Sequence, residues 1–374
     1  MVNNLNQLRD ADRVFRSIFE GMPEFRARSR FTHSKSNADV WFDAISDGTT
    51  YRFLIETKSR VTPQTAISIS KQLSAYAQRL PKRTILVLYS SVISPRVAEI
   101  LREQGISYAD RAGNCWLRSP RDHLLIERQG FQAERQPTHA AVDPFSTKSS
   151  RIVRAMLSRP MDGWQVRKLA EHGDVGVSVG LAVKVKRTLV EEGYAVERER
   201  KLYLRDPLGL LNAWSKEYPG PSEQIPLYFR GDTEVAEQTV TGWCRDNKLQ
   251  NALSGFSAAW RLAPEVRYTI ATIYLEERGF DSLLLDRLTK ECNVRRVETG
   301  ANLYLWCPFD RSVFTSTQQN DPMQPRVTSP LQTYLDLKRA DGRGEDAANA
   351  IFEKFLNRDL QAAAKHEEER HGRV

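Results

Sequence analysis

Residues 148–206 carry the pattern that most restricts the fold of this chain. Ser150–Ser158 places apolar residues at helical spacing, Trp164–His172 predicts a second, short helix, and the tetrapeptide GDVG follows as a turn. Ser178 is a good N-cap for a third helix, and Gly193 is typical of the residue that ends one. The next stretch, AVERERKLYLRD, alternates as two strands. Three helices followed by a hairpin predict a winged helix-turn-helix.

The same segment is basic. Residues 146–206 hold thirteen Lys and Arg against eight Asp and Glu, whereas the whole chain has a net charge of +8. A helix fits the major groove of DNA, and an arginine-tipped hairpin can contact the backbone or the adjacent minor groove. The predicted DNA-binding residues lie at the start and exposed side of the third helix and near the hairpin tip: Ser178, Val179, Lys184, Lys186, Arg187, Arg198, Arg200 and Lys201. A purely protein-docking winged helix is the alternative, and the basic excess argues against it.

Residues 1–130 alternate helix and strand signals, which predicts an α/β domain. Two strand-like runs flank Asp47-Gly48, a strong hairpin signal. The second run ends in IETK, so Glu56 and Lys58 project from the same side of a strand. Asp39 opens the first run. An Asp on one strand and Glu-x-Lys on the next resemble the site of the PD-(D/E)XK nuclease fold.

That resemblance implies roles for particular residues. Asp39 and Glu56 would hold Mg²⁺, Lys58 would stabilise developing charge, and Gln72, in a helix with Tyr76 one turn on, would orient water or phosphate. Asp43 is expected on the same face as Asp39 and could supplement it. Two alternatives stay open at this point: a surface hairpin with alternating polar positions, or a nuclease-like scaffold kept only for binding.

The whole chain is predicted to be α/β (α+β), with 1–130 as a nuclease-like three-layer domain. Residues 131–147 are a linker, 148–217 the winged helix, 218–357 a C-terminal mixed α/β interaction domain and 358–374 a polar tail. No apolar run reaches the length of a transmembrane helix, and the N-terminus lacks a signal-peptide core. The scattered cysteines show neither zinc-ligand nor disulfide spacing, which favours a reducing cytoplasm.

Three further stretches carry a family resemblance. ISYADRAGNCWLR at 106–118 is similar to a strand-turn signature of bacterial proteins that fuse a nuclease-like domain to a winged helix. GFSAAWRL at 255–262 and SPLQTYLDLKRADGRGEDAANAIF at 329–352 resemble the AbiEi-type antitoxins of type IV toxin–antitoxin systems. The resemblance implies operator binding, autorepression and a nucleotidyltransferase-like toxin encoded nearby, which the antitoxin need not touch.

The residues leave three functions open, of which the last is a scaffold for a nucleotidyltransferase-like partner. The first is a transcriptional regulator that binds an operator as a homodimer, because an inverted repeat offers two half-sites. The second is a Mg²⁺-dependent endonuclease that the winged helix targets to DNA. Without an active nuclease-like site no cofactor is expected. The C-terminal region offers no catalytic motif from which to choose between them.

Overall fold

The structure, a computed structural model, divides into two compact units, residues 1–140 and 141–374. It describes residues 2–31, 40–58, 61–77, 80–81, 84–119, 121, 123–130, 142–319 and 324–371. Both units combine helices and sheet, so the predicted mixed α/β class is confirmed.

Unit 1 is built on a single mixed sheet. Its elements are α1 (Val2–Glu20), β1 (Arg26–Phe31), β2 (Val40–Ser46), β3 (Thr49–Lys58), α2 (Pro63–Ala77), β4 (Thr84–Ser90), α3 (Pro95–Glu103), β5 (Ser107–Asp110), β6 (Cys115–Ser119) and β7 (Leu124–Arg128). Within the described residues the strands lie side by side in chain order, β1 to β7. β3, β4 and β5 pair in parallel, and the other neighbours are antiparallel. The parallel crossovers are the helices α2 and α3, as parallel strands require.

Helices cover both faces of this sheet. On one face α1 buries Phe15 and Phe19 against the strand residues Phe42 and Phe53, with ring centroids 5.4 to 5.8 Å apart. On the other face α2 and α3 pack over Leu88, Tyr108 and Trp116. Because side chains alternate along a strand, every second residue of β3 faces α2 and α3.

The hairpin between β2 and β3 turns at Asp47-Gly48, where the sequence predicts it. Both residues have positive φ, 44° and 75°, and Ser46 pairs with Thr49. This is the two-residue turn whose twist matches antiparallel strands, and glycine supplies one of its left-handed positions without strain. The hairpin sets the register that brings Val40 opposite Ile55.

The first part of unit 2 consists of three helices and a two-stranded hairpin: α4 (Ser150–Ser158), α5 (Val166–Glu171), α6 (Val179–Glu191), β8 (Ala195–Arg198) and β9 (Lys201–Leu204). Their apolar sides form one core, which includes Val153, Leu169 and Leu189. The second helix is shorter than Trp164–His172. Trp164 exchanges both backbone hydrogen bonds with Leu202 of β9, at 2.8 and 2.9 Å, so its backbone serves the hairpin instead.

The second part of unit 2 is a mixed layer of sheet and helices. Its elements are α7 (Pro207–Glu217), β10 (Glu223–Phe229), α8 (Thr233–Asp246), β11 (Asn251–Leu253), α9 (Gly255–Leu262), β12 (Ala271–Leu275), α10 (Ser282–Glu291), β13 (Val294–Arg296), β14 (Leu303–Cys307), α11 (Pro330–Leu337), α12 (Gly344–Ile351) and α13 (Asn357–His371). Short 3₁₀ helices occupy Glu277–Phe280 and Arg311–Phe314, and a π-helical turn, Phe352–Leu356, joins α12 to α13. The described strands run in the order β11-β12-β14-β10-β13.

The end of the chain, predicted as a polar tail, is helical through most of its length. Residues 357–371 form α13, which packs against α7 and β9 and buries Leu360 and Ala363. Spacing of three residues places both side chains on one side of the helix, and the buried Glu367, four residues after Ala363, has an ionic partner in Arg198. No helix among the described residues is long and apolar enough to span a membrane.

Candidate functional sites

Glu56 and Lys58 form an ion pair at the end of β3. The Lys58 Nζ donates to Glu56 Oε1 at 2.6 Å, and the side chains are 41% and 8% exposed, respectively. Residues two apart on a strand share a face, so the sequence alone predicts that the two side chains stand together. The structure adds that the carboxylate is buried while the ammonium group reaches solvent.

The strands beside β3 show what else faces this pair. In the parallel register Lys58 lies beside Ser90, and Ser90 beside Asp110, so the three residues form one row across the sheet. Asp110 is used locally: its carboxylate accepts from the backbone N of Asn114 at 3.0 Å and from Asn114 Nδ2 at 2.8 Å. Asp110 therefore caps the turn between β5 and β6.

Asp43, which could supplement Asp39, is engaged away from Glu56. Asp43 binds Arg52 with both carboxylate oxygens, at 2.9 and 3.2 Å. Arg52 and Glu56 are four positions apart on β3, which corresponds to about 13 Å. Gln72 is exposed on α2, and Asp39 lies outside the described residues.

A metal site at Glu56 is not assembled from the residues that the structure describes. In that part of the chain, His, Cys, Asp and Glu nowhere form a group of three or more that could hold a metal ion. One carboxylate already bound to an ammonium group is a poor Mg²⁺ site, since the ion prefers several oxygen ligands. A complete ligand set would have to include Asp39.

The third helix of unit 2, α6, begins as the sequence predicts. Ser178 Oγ accepts a hydrogen bond from the backbone N of Leu181 at 3.2 Å, the usual geometry of an N-cap. Ala182, Val185 and Leu189 bury the inner side of the helix. The opposite side is left to solvent.

Most of the predicted DNA-binding side chains are exposed. The exposed ones are Ser178, Val179, Lys184, Arg187, Arg200 and Lys201. Arg200 lies at the tip of the β8–β9 hairpin, where Glu199 and Arg200 both have positive φ, 48° and 61°. These side chains follow the outer side of α6 and the end of the hairpin.

Two predicted DNA-binding residues form ion pairs with other residues of the chain. Lys186 Nζ donates to Glu197 Oε2 of β8 at 2.9 Å, which ties α6 to the hairpin. Arg198 donates to the buried carboxylate of Glu367 on α13. The sequence could not reveal the second pair because its members are far apart in the chain.

Val183 is a surface residue that the DNA-binding residues predicted from the sequence do not include. It is 41% exposed and lies one helical turn from both Val179 and Arg187 on the outer side of α6. A valine in a helix with several buried aliphatic residues is easily taken for core. The spacing of four from Val179 and Arg187 is the signal that would have identified it.

Buried charges attach α4 to the rest of unit 2. Arg151 binds Asp310 through Nε and Nη2, with the shortest contact at 2.5 Å. Arg154 is buried, donates from Nη2 to Gln332 Oε1 at 2.6 Å and stacks on Trp214 with its guanidinium carbon 5.2 Å from the ring centroid. Burial lowers the pKa of Arg154.

Behind Gln332 lies a buried carboxylate that no sequence pattern indicates. Asp336 accepts hydrogen bonds from Tyr218, Tyr274, Ser254 and Gln332, at 2.6 to 3.0 Å. Burial raises the pKa of Asp336 even though each of these hydrogen bonds opposes the shift. Through Asp336 of α11, this hydrogen-bond network links Tyr218, which follows α7, to Tyr274 of β12.

Comparison with known proteins gives one finding. No curated protein matches the chain. A family model matches from β9 through the π-helical turn, which is less than half of the chain and excludes unit 1. Residues 203–357 thus match a family described as "Transcriptional regulator, AbiEi antitoxin, Type IV TA system".

Proposed function

We propose that this chain is a DNA-binding transcriptional regulator of the antitoxin kind, which binds an operator through residues 148–217 and represses its own operon. Two observations support the proposal. Residues 203–357 match a family of transcriptional regulators and antitoxins. Residues 150–204, which end just inside this match, have the element order of a winged helix, three helices and then a hairpin.

The exposed basic side of α6 carries the proposal. Lys184 and Arg187 lie on the outer side of the helix, and Arg200 and Lys201 lie at the tip of the hairpin that follows it. A helix in the major groove needs its outer side free and its flanks basic, because phosphate contacts position the protein on the duplex. Burial of Ala182 and Leu189 fixes which side of α6 is presented.

The partners follow from this function. A twofold operator would be bound by a homodimer, with one α6 in each half-site. An antitoxin also implies a toxin, and the resemblance of the chain implies a nucleotidyltransferase-like protein encoded nearby. Direct contact between the two is not required by the proposal.

Salt-dependent binding tests the proposed interface. We would measure fluorescence anisotropy with DNA from upstream of the chain's own reading frame, for wild type and for Lys184→Ala/Arg187→Ala. Each lost phosphate contact should flatten the slope of log K against log salt by about 0.9, so the double variant should lose nearly two units.

The matched control removes the same charge elsewhere in unit 2. Lys290→Ala/Arg296→Ala changes two exposed residues on α10 and β13 and should leave the slope unchanged. An unaltered slope in the α6 variant would remove this helix from the DNA interface. Loss of slope in both variants would indicate a general charge effect.

A Mg²⁺-dependent nuclease is the second candidate, and the Glu56–Lys58 pair favours it. The pair ends a strand that leaves the β2–β3 hairpin and continues through α2 into the parallel strand β4. Asp39 and Glu56 would hold the metal, which would activate water and stabilise the scissile phosphate. Lys58 would stabilise developing charge and Gln72 would orient water or phosphate.

Cleavage assays distinguish the two functions. Supercoiled and linear DNA would be incubated with wild type, Lys58→Ala and Glu56→Gln in Mg²⁺ and in Mn²⁺, with Lys71→Ala as a control on the exposed side of α2. Metal-dependent cutting that is lost in the two site variants and kept in the control would make the protein an enzyme. If the DNA stays intact while the protein still binds it, the regulator is the function that the result supports.

A further inference from the structure

The outer side of α6 has an apolar stripe at its start. Val179 and Val183 are 40% and 41% exposed and lie one turn apart, and Arg187 continues the same line after another turn. Ala182, Val185 and Leu189 already bury the inner side of the helix. The two valines are therefore not needed for the core, and their side chains are available to contact another molecule.

The residues around the stripe limit how α6 could recognise a base. Hydrogen-bonded readout in the major groove uses Arg or Lys on guanine, Asn or Gln on adenine, Asp or Glu on cytosine, or the hydroxyl groups of Ser and Thr. The first eight residues of α6 read VGLAVKVK and offer only lysine. Of its two lysines, Lys186 is held by Glu197. Lys184 and Arg187 stay exposed for charged contacts, whereas the two valines can offer only apolar contact, for which the groove has one complement, the C5-methyl group of thymine.

Gly180 allows a close approach at the same place. A glycine inside a helix costs about 1 kcal/mol relative to alanine. A Cβ added at Gly180 would meet no atom within 4 Å, so the packing of the protein does not demand a glycine there. Between Val179 and Val183 its absence of a side chain opens room for another molecule.

We propose that Val179 and Val183 select thymine-containing DNA by packing against C5-methyl groups in the major groove, beside Gly180. The inference rests on the proposed function, because it requires α6 to enter that groove. It assigns sequence recognition to the valines and leaves Lys184 and Arg187 to the phosphates. The competing partner for the stripe is a protein, including a second copy of this chain.

The proposal is tested by changing the protein and the DNA separately and together. The probe is again the DNA upstream of the chain's own reading frame, prepared with thymine or with uracil throughout, which removes the methyl groups and keeps the hydrogen-bonding edges. Full-length wild type should bind the uracil probe about fourfold more weakly for each methyl group lost from the interface. Val179→Ala/Val183→Ala should bind the thymine probe more weakly than wild type does, by the same factor by which wild type loses affinity for the uracil probe.

The decisive quantity is the sensitivity of the variant to the base change. Wild type should distinguish the two probes, and Val179→Ala/Val183→Ala should bind both with one affinity. Val235→Ala removes an exposed valine from α8 and should keep the wild-type preference. Alanine has a higher helix propensity than valine, so α6 should remain folded, which circular dichroism checks.

Three outcomes would overturn the inference in different ways. A variant that retains the thymine preference shows that other residues recognise the methyl groups, while the regulator stands. A variant that is monomeric where wild type is a dimer, with no base preference in either, assigns the stripe to self-association. Absence of DNA binding by wild type would remove the proposed function together with the inference.

Discussion

The tip of the β8–β9 hairpin keeps two charged residues in a conformation that favours glycine. Glu199 and Arg200 have φ of 48° and 61° and connect Arg198 directly to its pairing partner Lys201. Two-residue turns of this kind commonly contain Asn-Gly, because the left-handed region costs other residues roughly 1 kcal/mol each. A charged tip under strain is consistent with a role in binding.

Replacing the strained arginine should separate stability from binding. We expect Arg200→Gly to leave the free energy of unfolding of unit 2 unchanged or raise it by up to about 1 kcal/mol, because glycine adopts positive φ freely. DNA binding should weaken, with a salt slope flatter by about one unit. Urea titration and anisotropy measure the two effects.

Glu199→Asn is the control for this position, since it relieves the same turn and removes an acid. It should stabilise the hairpin without weakening DNA binding. A loss of stability in Arg200→Gly would show that the arginine supports the hairpin and would remove the reason for assigning it to the DNA.

Asp310 is the clearest case of a charge whose partner lies far away in the chain. Burial acts to raise its pKa, but the hydrogen bonds from Arg151 and Ser312 outweigh burial and hold the pKa below the ordinary value. Both side chains of the Arg151–Asp310 pair are at most 10% exposed. Removing one member of such a pair leaves a buried charge without its partner.

We expect Asp310→Asn to lower the unfolding free energy of unit 2 by about 3 kcal/mol at pH 7. The carboxylate has a depressed pKa when folded, so its contribution is present above the unfolded pKa of about 3.9 and is lost as pH falls through the folded pKa. The difference between variant and wild type should therefore shrink below about pH 4. Urea titrations at pH 7, 5 and 3 measure it.

The exposed pair Arg358–Asp359 supplies the control. Asp359→Asn should change stability by less than about 0.5 kcal/mol, because an exposed ion pair is screened by water. A difference for Asp310→Asn that persists unchanged to pH 3 would mean that the carboxylate is not what Arg151 requires.

Among the elements, α13 shows how a helix that appears solvated in sequence can be docked. Its buried residues are few, and the Arg198–Glu367 pair joins it to β8. Burial lowers the pKa of Arg205, which directly follows β9, and Coulombic attraction to Glu367 opposes this shift.

We expect Glu367→Gln to lower the unfolding free energy of unit 2 by roughly 1 to 2 kcal/mol, because Arg198 loses a charge-assisted hydrogen bond. The last turns of α13 should then become cleavable by protease at low temperature. Glu369→Gln, at an exposed position beside Lys365, is the matched control and should leave both readouts unchanged. Equal behaviour of the two variants would show that Glu367 does not anchor the helix.

Element positions were predictable where a local signal was complete. α4 has the predicted bounds, and α6 follows its predicted N-cap, because each carries an uninterrupted apolar stripe. α5 was predicted too long because Trp164 pairs with Leu202, a contact that local spacing does not contain. The strand β1 was missed since its run RARSRF lacks the apolar alternation that marks a half-buried strand.

At the scale of the whole molecule, the four cysteines are divided between the two units, so their reactivity can follow the unfolding of each unit separately. Cys115 is buried in unit 1, and Cys244, Cys292 and Cys307 are buried in unit 2. Burial raises the pKa of Cys115 and of Cys292 to about 11, and it also raises the pKa values of the other two thiols. Since the thiolate is the reactive form, all four should be inert in the folded protein.

We expect thiol labelling at pH 8 in increasing urea to modify Cys115 at one midpoint and the other three cysteines together at another. Cys115 lies in a core of unit 1, and Cys244 and Cys292 share a core of unit 2, so each unit should unfold as a cooperative whole. Mass spectrometry of the labelled peptides identifies each site, and labelling in full denaturant sets the maximum. A single midpoint for all four thiols would contradict independent unfolding.

The sequence by itself determined the mixed α/β class, the positions of most helices and strands, the Asp47-Gly48 turn and the pairing of Glu56 with Lys58. These features depend on residues within a few positions of one another, whose spacing sets periodicity, caps and shared faces. Tertiary structure alone decided that Arg198 is held by Glu367 and that Asp336 is buried beneath four donors. Ion pairs and burial between distant residues depend on how the chain folds back on itself, and no local pattern encodes that.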